Sequence, residues 1–408
     1  MKRFFAVLTA AFALCALLSL STFAADRVLN VYNWGEYISD GSEGSLDVNA
    51  EFEKWYAETY GETVKVVYTT YASNEDLYAK LKSGAAGYDV ILPSDYMIAR
   101  MIDEGMLEKL NFDNIPNYAG ISENFRGLYY DANNEYSVPF SYGMVGIIYD
   151  TTVVDEADTG TWDLMWNEKY KGKILQFNNS RDAFGTAMYR AGIDVNTTDA
   201  AQWQVALDAL KAQKPILQGY VMDEVFNKME GGEAAVAAYY AGDYLSMVEN
   251  NDKLGFYYPT DKNGDFATNL FVDAYCIPKG AANKDLAEAY INFSLSEEIA
   301  VANAEVVCYA SPNAAVYESE TYREDMGDEA MEILYPADFD FGANYNKMSY
   351  HNLDAATLNT INTMWEELML DGGMGAAVYI IAAVIVAAIV AFVIYRKTVQ
   401  KKREKMYE

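Results

Sequence analysis

Trp34, Glu36 and Tyr37 stand within the eight-residue stretch Val31–Ile38, V-Y-N-W-G-E-Y-I. Two aromatic faces and a carboxylate side by side suit an organic ammonium group. A ring face attracts a cation through its quadrupole, and a carboxylate accepts charge-assisted hydrogen bonds from it. The competing reading is aromatic packing beside a strand, so the positioning elements decide.

Those elements alternate. Val28–Trp34 reads as a strand, and Val48, Phe52 and Trp55 fall at helical spacing with Gly61 as a stop. Val64–Tyr71 is β-branched and aromatic, hence strand. Ser73-Asn74-Glu75-Asp76 resembles a capping box before Leu77–Leu81, and Gly84 ends that helix. Tyr88–Leu92 reads as a buried strand, followed by Pro93-Ser94 and a helix over Tyr96–Met106. This β-α-β-α order predicts a largely parallel sheet, and such sheets bind ligands beyond the carboxyl ends of their strands. Trp34–Tyr37 and Ser94–Tyr96 both sit at such ends. Residues from about Ile147 to Phe271 read as a second α/β unit. Within it, Met229–Tyr240 is a turn into an apolar strand that ends in Ala241-Gly242-Asp243. Asn269–Ile277 is a strand with one charged residue, Asp273, and burying that Asp is costly without a partner.

The ends carry targeting signals. Lys2 and Arg3, the apolar Phe4–Leu20 and Thr22-Phe23-Ala24 form a secretion signal over residues 1–24. Cys15 follows Leu14 and is not read as a lipidation site. Met374–Tyr395 is 22 residues without a charge, about 33 Å as a helix and enough to span a bilayer. Gly372-Gly373 precedes it, and residues 396–408 carry six basic residues against two acidic. The positive-inside rule puts this tail in the cytoplasm and the body outside.

The chain carries −30 overall while the signal and tail contribute +2 and +4, which leaves −36 for the body. That charge excludes nucleic acid and anionic substrates as partners and suits the steering of cations, or simple solubility. Only Cys276 and Cys308 remain after processing, so no disulfide framework exists, and a single bridge between them is left open. With one histidine, His351, a zinc site or histidine-based triad has little material. No cofactor, metal or catalytic residue is expected. Carboxylate pairs leave an extracellular hydrolase open as an alternative. A structural surface protein is another.

Seven motifs in order make the chain resemble the spermidine/putrescine-binding proteins of polyamine ABC transporters. They are Y-N-W-G-E-Y (32–37), Y-A-S-N-E-D-L-Y-A-K-L-K (71–82), Y-D-V-I-L-P-S-D-Y (88–96), Y-S-V-P-F-S-Y-G (136–143), W-N-E-K-Y-K-G-K-I (166–174), M-E-G-G-E (229–233) and S-P-N (311–313). The resemblance implies an α/β, hinged, type II periplasmic-binding-protein-like fold. Its lobes would be 25–146 with 273–312, and 147–272 with 313–371. It implies a polyamine in the interdomain cleft and ABC permease subunits as partners. A receptor of the same fold for another small solute is the alternative. Carried over by motif, the binding residues would be Trp34, Glu36, Tyr37, Ser94, Tyr96, Asn179, Asp182, Tyr240, Asp243, Phe271, Asp273 and Tyr309. Relative to the family pattern, Asn179 loses a carboxylate, and Tyr240 and Phe271 stand in for Trp. Asp243, three residues after Tyr240, resembles putrescine-type members. The balance of Asn179 against Asp243 favours putrescine over spermidine, and no role is assigned to His351.

Overall fold

The computed structural model describes residues 27–84, 87–261, 263–337 and 339–370. The secretion signal (1–24), the span expected at 374–395 and the basic tail (396–408) lie outside the described residues. Among the described residues, no helix is long and apolar enough to cross a membrane.

The strands are β1 (Arg27–Trp34), β2 (Val64–Tyr71), β3 (Val90–Ile91), β4 (Ser137–Asp150), β5 (Ile174–Phe177), β6 (Leu217–Val221), β7 (Val236–Tyr240), β8 (Leu254–Tyr257) and β9 (Leu270–Cys276). They form one sheet in the order β2-β1-β3-β9-β4-β7-β5-β6, with β8 on β4. The first half is parallel as predicted, through β1 with β2 and β3, and the second unit also contains parallel pairs, β5 with β6 and β7. The centre differs. β9 runs antiparallel to β3 and β4, and β4 runs antiparallel to β7 and β8. β4 is 14 residues long and serves both halves. Its first part pairs with β9 from Ser137 to Met144, and its second part pairs with β7 from Val145 to Tyr149.

Local chemistry explains the helices that flank the site. In α1 (Val48–Tyr60) the Asp47 carboxylate accepts from the Ala50 amide at 2.9 Å, and Gly61 closes the helix with φ 71°. In α2 (Asn74–Lys82) the Ser73 hydroxyl accepts from the Asp76 amide at 3.1 Å. Asp76 accepts from that hydroxyl at 2.8 Å, so the shorter acid completes the box through the side chain. β3 is shorter than Tyr88–Leu92. The Asp89 amide still donates to the Asn30 carbonyl at 2.8 Å, and its side chain accepts from the amides of Asn30 and Asn283, at 3.0 and 2.9 Å. Pro93 then removes a donor. α3 covers Asp95–Asp103, starting one residue before and ending three before the span read from the sequence. Further on lie α4 (Ser180–Ala191), α5 (Ala200–Gln213), α6 (Glu224–Glu230) and α7 (Ala241–Asn250). Ala241-Gly242-Asp243 is therefore the first turn of α7 and not the tail of a strand, with Tyr240 as its cap.

Two cores flank the central strands. Leu29, Phe52, Leu77, Ile91 and Val272 anchor the first. Ile147, Trp162, Phe177, Val236 and Met247 anchor the second. Two segments cross the lobe pattern implied by the resemblance. Phe341, Tyr345 and Met348 pack into the first core, while Cys308 and Ala310 pack into the second. The same separation answers the cysteine question. Cys276 lies in the first core and Cys308 in the second, both buried and both free thiols. Burial pushes both thiols up, Cys308 to about 11. A reductant should therefore leave the melting temperature of the body unchanged, and a thiol reagent should label both residues only after denaturation. A drop in melting temperature on reduction would show a bridge instead.

Candidate ligand-binding site

The two halves meet over a cleft of about 700 Å³, counting the open space at its mouth. The carboxyl ends of β1 and β3 form one wall, and those of β5, β6 and β7 form the other, as expected for doubly wound sheets.

On the first wall the Trp34 indole donates to the Leu92 carbonyl at 2.9 Å and packs on Tyr71, which donates to the same carbonyl at 2.7 Å. This fixes the plane of the indole, which lines the cleft. Ser94 caps α3 in a reciprocal pair with Asn74. The Ser94 amide donates to Asn74 Oδ1, and Asn74 Nδ2 donates to Ser94 Oγ, both at 3.0 Å. The Tyr96 hydroxyl donates to Glu75 at 2.9 Å. On the second wall Asp182 lies in the first turn of α4, where the helix dipole favours a carboxylate. Tyr240 donates to it at 2.7 Å. Asp243 lies in the first turn of α7 and accepts from Tyr309 at 3.1 Å. At the floor, β9 supplies Phe271 and Asp273. Tyr37, in hydrogen-bond contact with Ser141, donates to Asp273 Oδ2 at 2.7 Å. Gly185 on α4 leaves room for the Tyr350 hydroxyl, which a Cβ there would meet at 2.0 Å.

Ten of the twelve residues expected from sequence thus line one cavity: Trp34, Tyr37, Ser94, Tyr96, Asp182, Tyr240, Asp243, Phe271, Asp273 and Tyr309. Two do not. Glu36 sits in a left-handed turn, φ 49°, and is exposed outside the wall. Asn179 is the cap of α4. Its Oδ1 accepts from the Asp182 amide and its Nδ2 donates to Asp182 Oδ2, both at 2.8 Å, so it orients that acid. The sequence reading missed Asp223, Asn269 and Tyr350, which also line the cavity. Asp223 follows the end of β6, so the strand-end rule was a usable signal. No pattern marked Tyr350. His351 packs at a tilt on Tyr129, 4.1 Å between centroids, and is not part of the wall.

The electrostatics are one-sided. Burial pushes Asp273 up to about 6 and Asp243 to about 8, the latter with help from the charges of Asp223 and Glu36. Burial also raises Asp182 against the pull of its hydrogen bonds to Tyr240 and Asn179. Beneath them Asp95, bonded by Tyr345 at 2.7 Å, is pushed by burial to about 8. Among the described residues none of the four forms an ion pair. Arg181 turns away. It donates to the carbonyls of Val195 and His351 and to Asn196, with its guanidinium 4.5 Å over the Tyr350 ring. Asp273 Oδ1 and Asn269 Oδ1 are buried and accept no hydrogen bond. No group of three metal-ligating side chains occurs among the described residues. The arrangement can hold a cation between aromatic faces.

The model of the bacterial extracellular solute-binding protein family matches residues 49–328. The chain belongs to this family. It is 31% identical over 316 residues to the spermidine/putrescine-binding periplasmic protein of Escherichia coli, covering 77% of this chain and 86% of that one. It is 29% identical over 357 residues to the putrescine-binding periplasmic protein SpuD of Pseudomonas aeruginosa, covering 82% and 93%. The crystal structure of the spermidine/putrescine ABC transporter substrate-binding protein PotD from Streptococcus pneumoniae superposes with a TM-score of 0.65 at 31% identity, covering 85% and 99%. The chain is thus an extracytoplasmic solute-binding protein and not an enzyme, with the α/β periplasmic-binding fold.

The raised carboxyls link stability to pH. A folded carboxyl with a raised pKa keeps a proton that the unfolded chain has released. Its contribution is full below about pH 4, and is lost as pH rises through about 6 for Asp273 and about 8 for Asp243 and Asp95. The melting temperature of the ligand-free protein should fall between about pH 5.5 and about pH 8.5. Asp243→Asn should shrink that fall. An unchanged slope in the variant would show that Asp243 does not titrate in this window.

Proposed function

We propose that this chain is a membrane-held receptor that closes on a polyamine, putrescine or spermidine, and presents it to an ABC permease. One observation carries this reading. Asp182 and Asp273 are buried and Asp243 is half-buried around one aromatic cavity, none of them with a cationic side chain to pair with among the described residues, and Asp273 keeps an unused acceptor. Burying a carboxylate without a partner is expensive. A ligand that brings ammonium groups on a flexible apolar chain removes that cost. Each charge-assisted hydrogen bond is worth about 1.5–3 kcal/mol, and an aromatic face adds about 0.5–2 kcal/mol per cation. The names of the relatives point the same way.

In this reading Trp34, Tyr37, Tyr96, Tyr240, Phe271 and Tyr309 grip the methylene chain and amines, and Ser94 sets the wall. The lobes are those around the two cores, and the ligand bridges them, shifting the clamp toward its closed state. Residues 374–395 hold the body at the outer face of the membrane with 396–408 in the cytoplasm. Such a tether raises the receptor's effective concentration at its permease.

Calorimetric titration with putrescine and with spermidine tests the ligand. Heat of binding to at least one is expected, and none with either overturns the proposal. Asp273→Asn should weaken binding at least tenfold with the fold intact, since removing one partner of a buried charge pair costs about 2–5 kcal/mol. For the tether, protease added to intact protoplasts should release the body and spare a tag placed after Glu408. Loss of the tag would reverse the topology.

A further inference from the structure

Asp223 differs from every other acid of the cleft. It follows β6 on the second half, at the start of α6, yet it touches the first half. A Cβ on Gly35, in the loop after β1, would stand 2.7 Å from Asp223 Oδ2. Gly35 lies between Trp34 and Tyr37 of the opposite wall. The absence of a side chain there is what lets this carboxylate reach across the mouth. Asp223 is exposed, caps no helix amide with its side chain, and takes part in no ion pair among the described residues. It therefore lines the cavity as a free acceptor.

Ring contacts give the site an order. Tyr240 holds Asp182 and packs on Phe271 with centroids 5.4 Å apart. Phe271 packs at 6.0 Å on Tyr309, which holds Asp243. Asp273, bonded to Tyr37, lies on the same strand as Phe271. Asp223 lines the same cavity and is exposed, so it stands on the solvent side of this row. The cavity also contains the two buried oxygens without partners, on Asp273 and Asn269, so it is built to receive polar hydrogens along its length.

The inner carboxylates Asp182, Asp243 and Asp273 are already enough in number for the two charges of a dication. We propose that Asp223 is a specificity residue that seats a further ammonium at the mouth, against the backbone of Gly35, and so gives this receptor the capacity for a triamine. The inference rests on the polyamine reading above. It also changes the expectation from sequence, where Asn179 and Asp243 alone favoured the shorter dication.

The test is titration of the full chain and of Asp223→Asn and Asp223→Ser with spermidine and putrescine. The position is exposed, so both variants should fold, as circular dichroism melting would show. Spermidine affinity is expected to fall by about tenfold in both variants, with putrescine affinity moving by less than about threefold. Equal loss for both ligands, or an unchanged spermidine affinity, overturns the assignment. A wild type that binds putrescine but not spermidine overturns this inference and leaves the polyamine reading standing. A wild type that binds neither overturns both.

Discussion

Carboxyl groups held away from water with no cationic side chain paired to them among the described residues are the constraint on which this molecule turns. Asp95, Asp182, Asp243 and Asp273 are all buried or lie at the cleft wall, and the nearest guanidinium, that of Arg181, is spent on carbonyls and an aromatic face. Isolated buried carboxylates protonate rather than remain charged. The protein limits the cost with tyrosine hydroxyls, from Tyr37, Tyr240, Tyr309 and Tyr345. A phenol donates a hydrogen bond without carrying charge, so it orients the acid and leaves its demand for a cation unmet. Lys or Arg at those places would complete the ion pairs and abolish the site.

The tyrosines have a second effect. The hydroxyls of Tyr37, Tyr240 and Tyr309 belong to rings that also line the cleft, while Tyr345 acts from the first core. Tyr37 packs edge-on to Tyr309 at 5.2 Å, and Tyr240 packs on Phe271. Orientation of the acids and shape of the cavity are therefore one network. A change to any of these rings alters both, and its effect on binding cannot be divided between charge and packing without paired substitutions.

Much of this was legible from the chain. The strand of Val64–Tyr71 and the helix beginning at Val48 follow from periodicity and caps, because local pattern and tertiary burial agree there. The convergence of Trp34 with Ser94 and Tyr96 follows from the strand-end rule alone. Other parts depend on contacts that no local pattern encodes. The Asp89 side chain is tied to the amides of Asn30 and Asn283, both far away in sequence. Asn179 reads as a lost ligand carboxylate, but the start of α4 makes it a cap. Glu36 sits beside Trp34 in sequence, yet it is exposed and does not line the cavity. Tyr350 arrives from late in the chain through the gap at Gly185, which only the packing of two distant segments could place. The antiparallel centre was hidden for the same reason, since β4 and β9 are separated by the entire second unit.

β4 also sets how the halves can move. It crosses from one core to the other as an unbroken strand, paired to β9 on one side of the crossing and to β7 and β8 on the other. Any change in the angle between the halves has to flex this ribbon, and the register shift between Pro139 and Ser141 is where its ladder is already interrupted. On the clamp reading proposed above, the spring would be the backbone of β4 rather than the side chains that line the cleft. Stiffness and recognition can drift independently in evolution. A receptor of this design could be retuned in how quickly it lets go without altering what it selects.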